Sequence, residues 1–157
     1  MLCKDIMTKK IIKTYKDSTI QEASEIMAKN SIGFLPIVYK DTDIIAGIVT
    51  DRDIITRCVA RGLSTSKLIS DIMTPETISV KETDDISIAI SKMADYQIHR
   101  ILVTNSSTQL TGIITIKDLA IHNDTNKYLN ELMREICIPN PQVNKPQEFL
   151  KCEDFPL

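Results

Sequence analysis

The residue types best suited to chemistry come in a repeated pair. Thr50 is followed three positions later by Asp53, and Thr115 by Asp118, each pair at the end of a short aliphatic run, Gly47-Ile48-Val49 or Gly112-Ile113-Ile114. The pattern Gly47-Ile48-Val49-Thr50-Asp51-Arg52-Asp53-Ile54 returns as Gly112-Ile113-Ile114-Thr115-Ile116-Lys117-Asp118-Leu119. Both copies read as a buried strand running into a helix, which sets a hydroxyl and a carboxylate side by side at the junction. One use of that geometry is purely local: threonine at the N-cap and an acid at the third helical position satisfy free backbone N–H groups. The other is recognition. A carboxylate at such a junction can accept hydrogen bonds from both hydroxyls of a ribose, while the threonine hydroxyl and the helix N-terminus are available to phosphate.

The elements that must position these pairs are duplicated as well. Asp5-Ile6-Met7-Thr8 recurs as Asp71-Ile72-Met73-Thr74 at an offset of 66, and the junction glycines recur at an offset of 65, so one residue is lost between them. Ile12 stays in step with Ile78, Ile20 with Ile86, Ala23 with Ala89, Met27 with Met93 and Leu35 with Ile101. Such agreement marks an internal duplication. Each copy reads as β-α-β-β-α, giving an α+β fold of two units, residues 1–65 and 66–123, followed by a C-terminal segment, 124–157.

In the first unit the pattern predicts a strand over Ile11 to Thr14 and a capping box at Ser18-Thr19-Ile20-Gln21 opening a helix. A hairpin follows, Phe34 to Tyr39 and Ile44 to Val49, with Pro36 placing its strand at an edge or starting the strand after it. The junction helix stops at Gly62. The second unit repeats this with a strand near Thr77 to Val80, a helix from Asp84 or Asp85 through Tyr96, a strand over Ile101 to Thr104 and a turn at Asn105 to Gln109. A three-stranded unit of this size leaves an apolar face uncovered, so the two should stack sheet to sheet or helix to helix about a pseudo-two-fold axis, forming two related clefts. Beyond them, Asn126 to Ile136 has helical periodicity. Pro139, Pro141, Pro146 and Pro156 then exclude regular helix from an extended tail in which Phe155 and Leu157 either pack into a groove or stay loose.

Composition narrows the function. With 157 residues, 43% apolar and only 4% aromatic, the core must be aliphatic. Nineteen Lys and Arg against 21 Asp and Glu, net charge -2, give no electrostatic reason for a nucleic-acid or acidic-membrane partner. Cys3, Cys58, Cys137 and Cys152 are scattered, and only His99 and His122 are available to complete a metal site, so the cysteines read as reduced thiols of a cytoplasmic protein. No apolar run approaches the roughly 18 residues of a membrane span, and the N-terminus lacks a signal-peptide pattern.

The doubled pattern D-I-M-T, helix, hairpin, G-I-V-T-D-R-D-I resembles tandem CBS domains, the Bateman module, over about residues 1 to 122, and is closest to the small stand-alone bacterial type. The resemblance implies a disc-like pair of repeats, often a homodimer, whose clefts bind AMP, ADP, ATP or S-adenosylmethionine as a regulatory ligand. It implies a sensor acting on a protein target rather than an enzyme, with no catalytic residue and no metal. By position, Asp53 and Asp118 are similar to the family's ribose acceptors, and Thr50 and Thr115 to the hydroxyl beside ribose or phosphate. His99 and Arg100 stand where the family places a basic phosphate contact, with Arg52 and Lys117 as further positive charge. The first unit has Gly33-Phe34 in place of His99-Arg100, a departure that leaves its cleft open to a nucleoside, S-adenosylmethionine or nothing. A structural or dimerisation module without a ligand, in which the Thr/Asp pairs only cap helices, is the alternative.

Overall fold

The computed structural model describes residues 1–122 and 124–138. In chain order the elements are α1 (Cys3–Ile6), β1 (Thr14–Tyr15), α2 (Ile20–Asn30), β2 (Phe34–Val38), β3 (Ile45–Thr50) and α3 (Asp51–Asp53), which runs on as a π turn over Ile54–Cys58. The second half has β4 (Ser79–Lys81), α4 (Ile86–Asp95), β5 (Arg100–Thr104), β6 (Leu110–Thr115) and α5 (Ile116–Ile121), with α6 (Asn126–Cys137) added. Each half is a three-stranded sheet in sequence order, its first two strands parallel and its last two antiparallel. The duplication therefore reaches strand order and register.

Three apolar clusters hold the fold. Ile20, Ala23, Met27, Leu35, Ile37 and Val49 fill the space between sheet and helices of the first unit, and Ile86, Ala89, Met93, Ile101, Val103 and Ile114 do so in the second. Phe34, Val38, Leu102 and Leu110 form a third cluster joining β2 to the second sheet, so the units stack sheet to sheet. The pseudo-two-fold axis is visible in the pairing itself. Ile44 bridges Gln109, a residue at its own repeat position 65 places on, and Leu110 donates its N–H to the Asp43 carbonyl at 2.9 Å.

The two D-I-M-T segments are exchanged between units. Residues 1–8 dock on the second: Cys3 and Ile6 lie in its core, the Cys3 and Lys4 N–H groups donate to the Asp84 and Glu82 carbonyls, and Thr8 pairs with Ile113 in both directions at 2.9 and 3.1 Å. Reciprocally, Ile69 and Ile72 lie in the first core, and Thr74 pairs with Ile48 at 2.8 and 2.9 Å. Each half lends its arm to the other.

Several local expectations are corrected. The Ile11 to Thr14 strand contracts to Thr14–Tyr15, because residues 11 to 13 are the crossing segment: Ile11 packs on the inter-sheet cluster and Ile12 on the first core. Likewise the Thr77 to Val80 strand becomes Ser79–Lys81. The capping box is Thr19 with Glu22, one residue later than Ser18 with Gln21: Thr19 Oγ1 accepts the Glu22 N–H at 3.1 Å and Glu22 Oε2 the Thr19 N–H at 2.7 Å. Pro36 is neither at an edge nor before its strand; it sits inside the central β2. Its partner Ile48 spends both its N–H and its C=O on Thr74, so Pro36–Ile48 is a non-hydrogen-bonded pair, and β1 reaches only Ile37 and Val38. No ladder bond is lost by the missing N–H. The junction helix does stop at Gly62, in the left-handed conformation (φ 66°), but through the π turn and a final 3₁₀ turn.

α6 covers α4 and α5 with Leu129, Leu132 and Ile136. The prolines of the tail, with Cys152, Phe155 and Leu157, lie outside the described residues. Cys3 and Cys58 are buried and Cys137 is exposed, all three free thiols. Burial, reinforced by Asp84 and Asp85, pushes the Cys3 thiol up to about 11, so it stays protonated and unreactive at neutral pH. No helix among the described residues is long and apolar enough to cross a membrane.

Two outcomes follow from the docking of the arms. A Cβ on Gly47 would lie 2.7 Å from the Thr74 carbonyl oxygen, and one on Gly112 would meet the Met7 side chain as far back as its Cβ, at 2.9 Å. Gly47→Ala and Gly112→Ala should therefore each cost about 1–3 kcal/mol of unfolding free energy in urea titrations, because neither a bridged carbonyl nor a Cβ fixed by its own backbone can rotate out of the way. Asp85, the N-cap of α4, is held down to about 2 by hydrogen bonds from the Ser87 N–H and hydroxyl and by the N-terminal ammonium. A carboxylate depressed in the folded state stabilises above its unfolded value near 4 and loses that contribution as pH falls toward 2. Asp85→Asn should thus flatten the acid limb of a Tm-against-pH curve over that window.

Candidate functional site

Both Thr/Asp pairs close into reciprocal caps. Asp53 Oδ2 accepts from the Thr50 N–H at 2.9 Å and its hydroxyl at 2.7 Å, while Thr50 Oγ1 accepts the Asp53 N–H at 3.1 Å. At the second junction the same three distances are 2.8, 2.6 and 3.3 Å for Thr115 and Asp118. The local reading of these residues is thus realised in full, and it consumes only one oxygen of each carboxylate. Cap and recognition are compatible: the cap locks the side chain through Oδ2, and Oδ1 is not used by the cap.

What meets Oδ1 differs between junctions. Asp118 Oδ1 accepts from the Thr8 hydroxyl at 3.2 Å, so the exchanged arm of residues 1–8 touches the junction directly. Asp53 Oδ1 faces the Arg57 guanidinium at 3.3 Å. Neither Thr8 nor Arg57 stands out by residue type. Thr8 carried one signal, its recurrence as Thr74 in the duplicated D-I-M-T, and Arg57 another, its position one helical turn after Asp53.

The remaining predicted residues surround the same edge of the stacked sheets. Register sets Phe34 opposite Thr50 and Arg100 opposite Thr115, and the Arg100 guanidinium lies over the Phe34 ring, 4.8 Å from its centre. Phe34 and Arg100 occupy the same repeat position, 66 residues apart, so their stack sits at the axis and ties the two junctions together. Stacking uses the face of the guanidinium and leaves its in-plane N–H donors for an anion. His99 is exposed, and its carbonyl holds the first N–H of α5, that of Ile116, at 3.1 Å. The equivalent Gly33 carbonyl holds the Asp51 N–H at 3.1 Å. Lys117 and Arg52 are exposed, and among the described residues neither side chain forms an ion pair with Asp53 or Asp118.

The charge around the two junctions is unequal. The first has the Asp51 carboxylate lying against Gly33, so close that a Cβ on residue 33 would come within 2.5 Å of Asp51 Oδ2. In the second, Ile116 replaces that acid and His99 that glycine. A phosphate-bearing ligand is repelled less at the second junction. Two open hollows on the first unit, of about 540 and 400 Å³, lie apart from both pairs; the larger is bounded by Thr14, Tyr15, Glu22 and Lys29. Among the described residues no group of three or more side chains could hold a metal ion.

Known proteins share this architecture. The CBS domain pattern matches residues 3–60 and again 69–122. The uncharacterized protein YlbB of Bacillus subtilis is 34% identical over 133 residues, covering 85% of this chain and 89% of that protein. Among solved structures, the CBS domain protein PAE2072 from Pyrobaculum aerophilum, complexed with AMP, superposes with a TM-score of 0.73 at 25% identity, over 83% of this chain and 99% of that one. The CBS domain pair of protein MJ0100, in complex with 5-methylthioadenosine and S-adenosyl-L-methionine, superposes with a TM-score of 0.66 at 31% identity, over 77% and 94%. Duplicated sequence, exchanged arms, stacked three-stranded sheets and these matches give one conclusion: the chain belongs to the CBS domain family and carries two CBS repeats in tandem.

Proposed function

We propose that the chain is a regulatory module that senses an adenine nucleoside or nucleotide, of the class of AMP, ADP, ATP or S-adenosylmethionine, at its strand-helix junctions. The observation that carries this reading is the repeated carboxylate, locked by its own cap through Oδ2, which at Asp118 leaves Oδ1 held by a single hydroxyl beside the strand that carries Arg100. Asp53 and Asp118, with Thr50 and Thr115, are the ribose contacts; Arg100 and His99, with Lys117 and Arg52 around them, are the phosphate contacts. The adenine compounds bound by PAE2072 and MJ0100 support the ligand class.

Regulation follows from the wiring. A ribose at Asp118 competes with the Thr8 hydroxyl, so occupancy is linked to the docking of the arm of residues 1–8 on the second unit. Nothing in this reading requires catalysis by the chain itself, and a cytoplasmic homodimer presenting a ligand-dependent surface to a protein target is its natural setting. Ile55 and Val59, exposed on the first unit where α6 has no counterpart among the described residues, support the dimer.

A thermal-shift screen of AMP, ADP, ATP and S-adenosylmethionine tests the proposal, since a ligand at a hundredfold excess over its Kd stabilises by about 2.7 kcal/mol. Asp118→Asn, which keeps an oxygen for the cap but loses the charge, should weaken binding by about 1.5–3 kcal/mol, roughly ten- to a hundredfold, with Tm of the free protein nearly unchanged. Stabilisation by none of the four compounds, in protein freed of co-purified nucleotide, would favour the ligand-free interaction module. Arg100→Ala should weaken AMP about tenfold or more and adenosine little, because the lost group meets phosphate. Equal losses for both would show that Arg100 acts only through its packing on Phe34.

A further inference from the structure

The two junctions share a pattern but not their wiring. At the first, Arg57 and Asp53 are paired with side chains only 19% and 16% exposed. Arg57 is also tied elsewhere: Nη1 donates to the Ile72 carbonyl at 2.8 Å and to Thr74 Oγ1 at 3.0 Å. One guanidinium thus clamps the carboxylate to the exchanged arm. Withdrawing it from Asp53 strips a half-buried charge of its partner, and moving it aside also leaves the Ile72 carbonyl without its donor.

The second junction lacks this clamp. The residue at the repeat position of Arg57, 65 places on, is His122, and its backbone carbonyl accepts from the N–H and hydroxyl of Thr125 at 3.0 and 2.8 Å. Among the described residues Asp118 Oδ1 meets only the Thr8 hydroxyl, at 3.2 Å. A neutral hydroxyl rotates away about a single bond and finds water or ligand as a new partner. The fork of Arg57, held at three points, does not.

We propose that Arg57 latches the first junction shut, so that an adenine ligand is taken at the second junction alone, around Asp118, Thr115, Thr8 and Arg100. The inference rests on the adenine-sensing reading above and makes Arg57 a positioning residue that decides which repeat responds. It also gives the arms different roles. Ligand displaces the Thr8 hydroxyl from Asp118 while the backbone pairing of Thr8 with Ile113 holds the arm of residues 1–8 in place, and the Asp71–Thr74 arm stays clamped to Asp53.

Isothermal titration of the full chain with AMP, and separately with S-adenosylmethionine, reads the stoichiometry directly. The wild-type chain should take up about one ligand, Asp118→Ala none, and Arg57→Met, which keeps the length but removes every donor, about two. A merely structural role for Arg57 moves stability but not the number of sites. Two sites in the wild type, full binding retained by Asp118→Ala, or a folded Arg57→Met that still takes one ligand would each overturn the latch while leaving the sensing reading intact. Should Arg57→Met fail to fold, the wild-type and Asp118→Ala titrations still decide. Absence of binding by either compound would remove the sensing reading and the latch with it.

Discussion

The reciprocal docking of the two D-I-M-T arms is the constraint on which the rest of the molecule depends. Thr8 completes the pairing of Ile113, and Thr74 that of Ile48, so each hairpin gains a short third neighbour that belongs to the opposite repeat. Cys3 and Ile6 fill one core while Ile69 and Ile72 fill the other. A three-stranded sheet with two helices is marginal by itself. Here neither half is complete by itself, and the inter-sheet cluster of Phe34, Val38, Leu102 and Leu110 is enclosed between units already tied at both ends.

That arrangement explains which parts of the fold were legible in the sequence. The duplication, the order of elements and the Thr/Asp caps are local patterns, and local physics enforces them whatever the tertiary context. Gly62 marks its helix end for the same reason: a left-handed residue is cheapest as glycine. Exchange is different in kind. Two copies of D-I-M-T present the same side chains, so pattern cannot say whether an arm docks on its own hairpin or on the other. The choice is made by the crossing segment between Thr8 and Thr14, which at roughly 3.3–3.6 Å per extended residue is long enough to pass between units. Ile11 and Ile12 look like a strand because they are apolar and β-branched, yet each, half-buried, packs against a different core.

Pro36 was misplaced because the rule for proline in sheets assumes that a central strand bonds to neighbours on both sides along its whole length. In β2 the neighbour β1 is two residues long, and the facing Ile48 has turned its polar groups to Thr74. The arm that crosses from the second repeat therefore makes the proline tolerable in the first. At the site, likewise, the Thr/Asp pairs were legible from spacing and Arg100 only through the family resemblance, whereas Thr8 and Arg57 enter only through contacts made across the exchange or along one turn of an irregular helix. Residue type gave no reason to single out either.

Duplication supplies two equal sites, and small departures at equivalent positions make them unequal. Phe34 for Arg100 puts a ring on the axis and turns the surviving guanidinium across it. Asp51 for Ile116, accommodated by Gly33 for His99, adds negative charge to the first junction. Arg57 for His122 then neutralises part of it, pairing Asp53 and the exchanged arm through one side chain. The acid disfavours an anion at the first junction, and the arginine ties up its carboxylate. One junction is thereby held by a fixed contact and the other by a yielding one. The π turn that begins at Ile54, directly after Asp53, is a further difference between the junctions, since the regular α5 of the second repeat has no such turn. The first repeat thus holds its junction carboxylate by a charged clamp, and the second, with the arm of residues 1–8 laid across it, by a neutral hydroxyl.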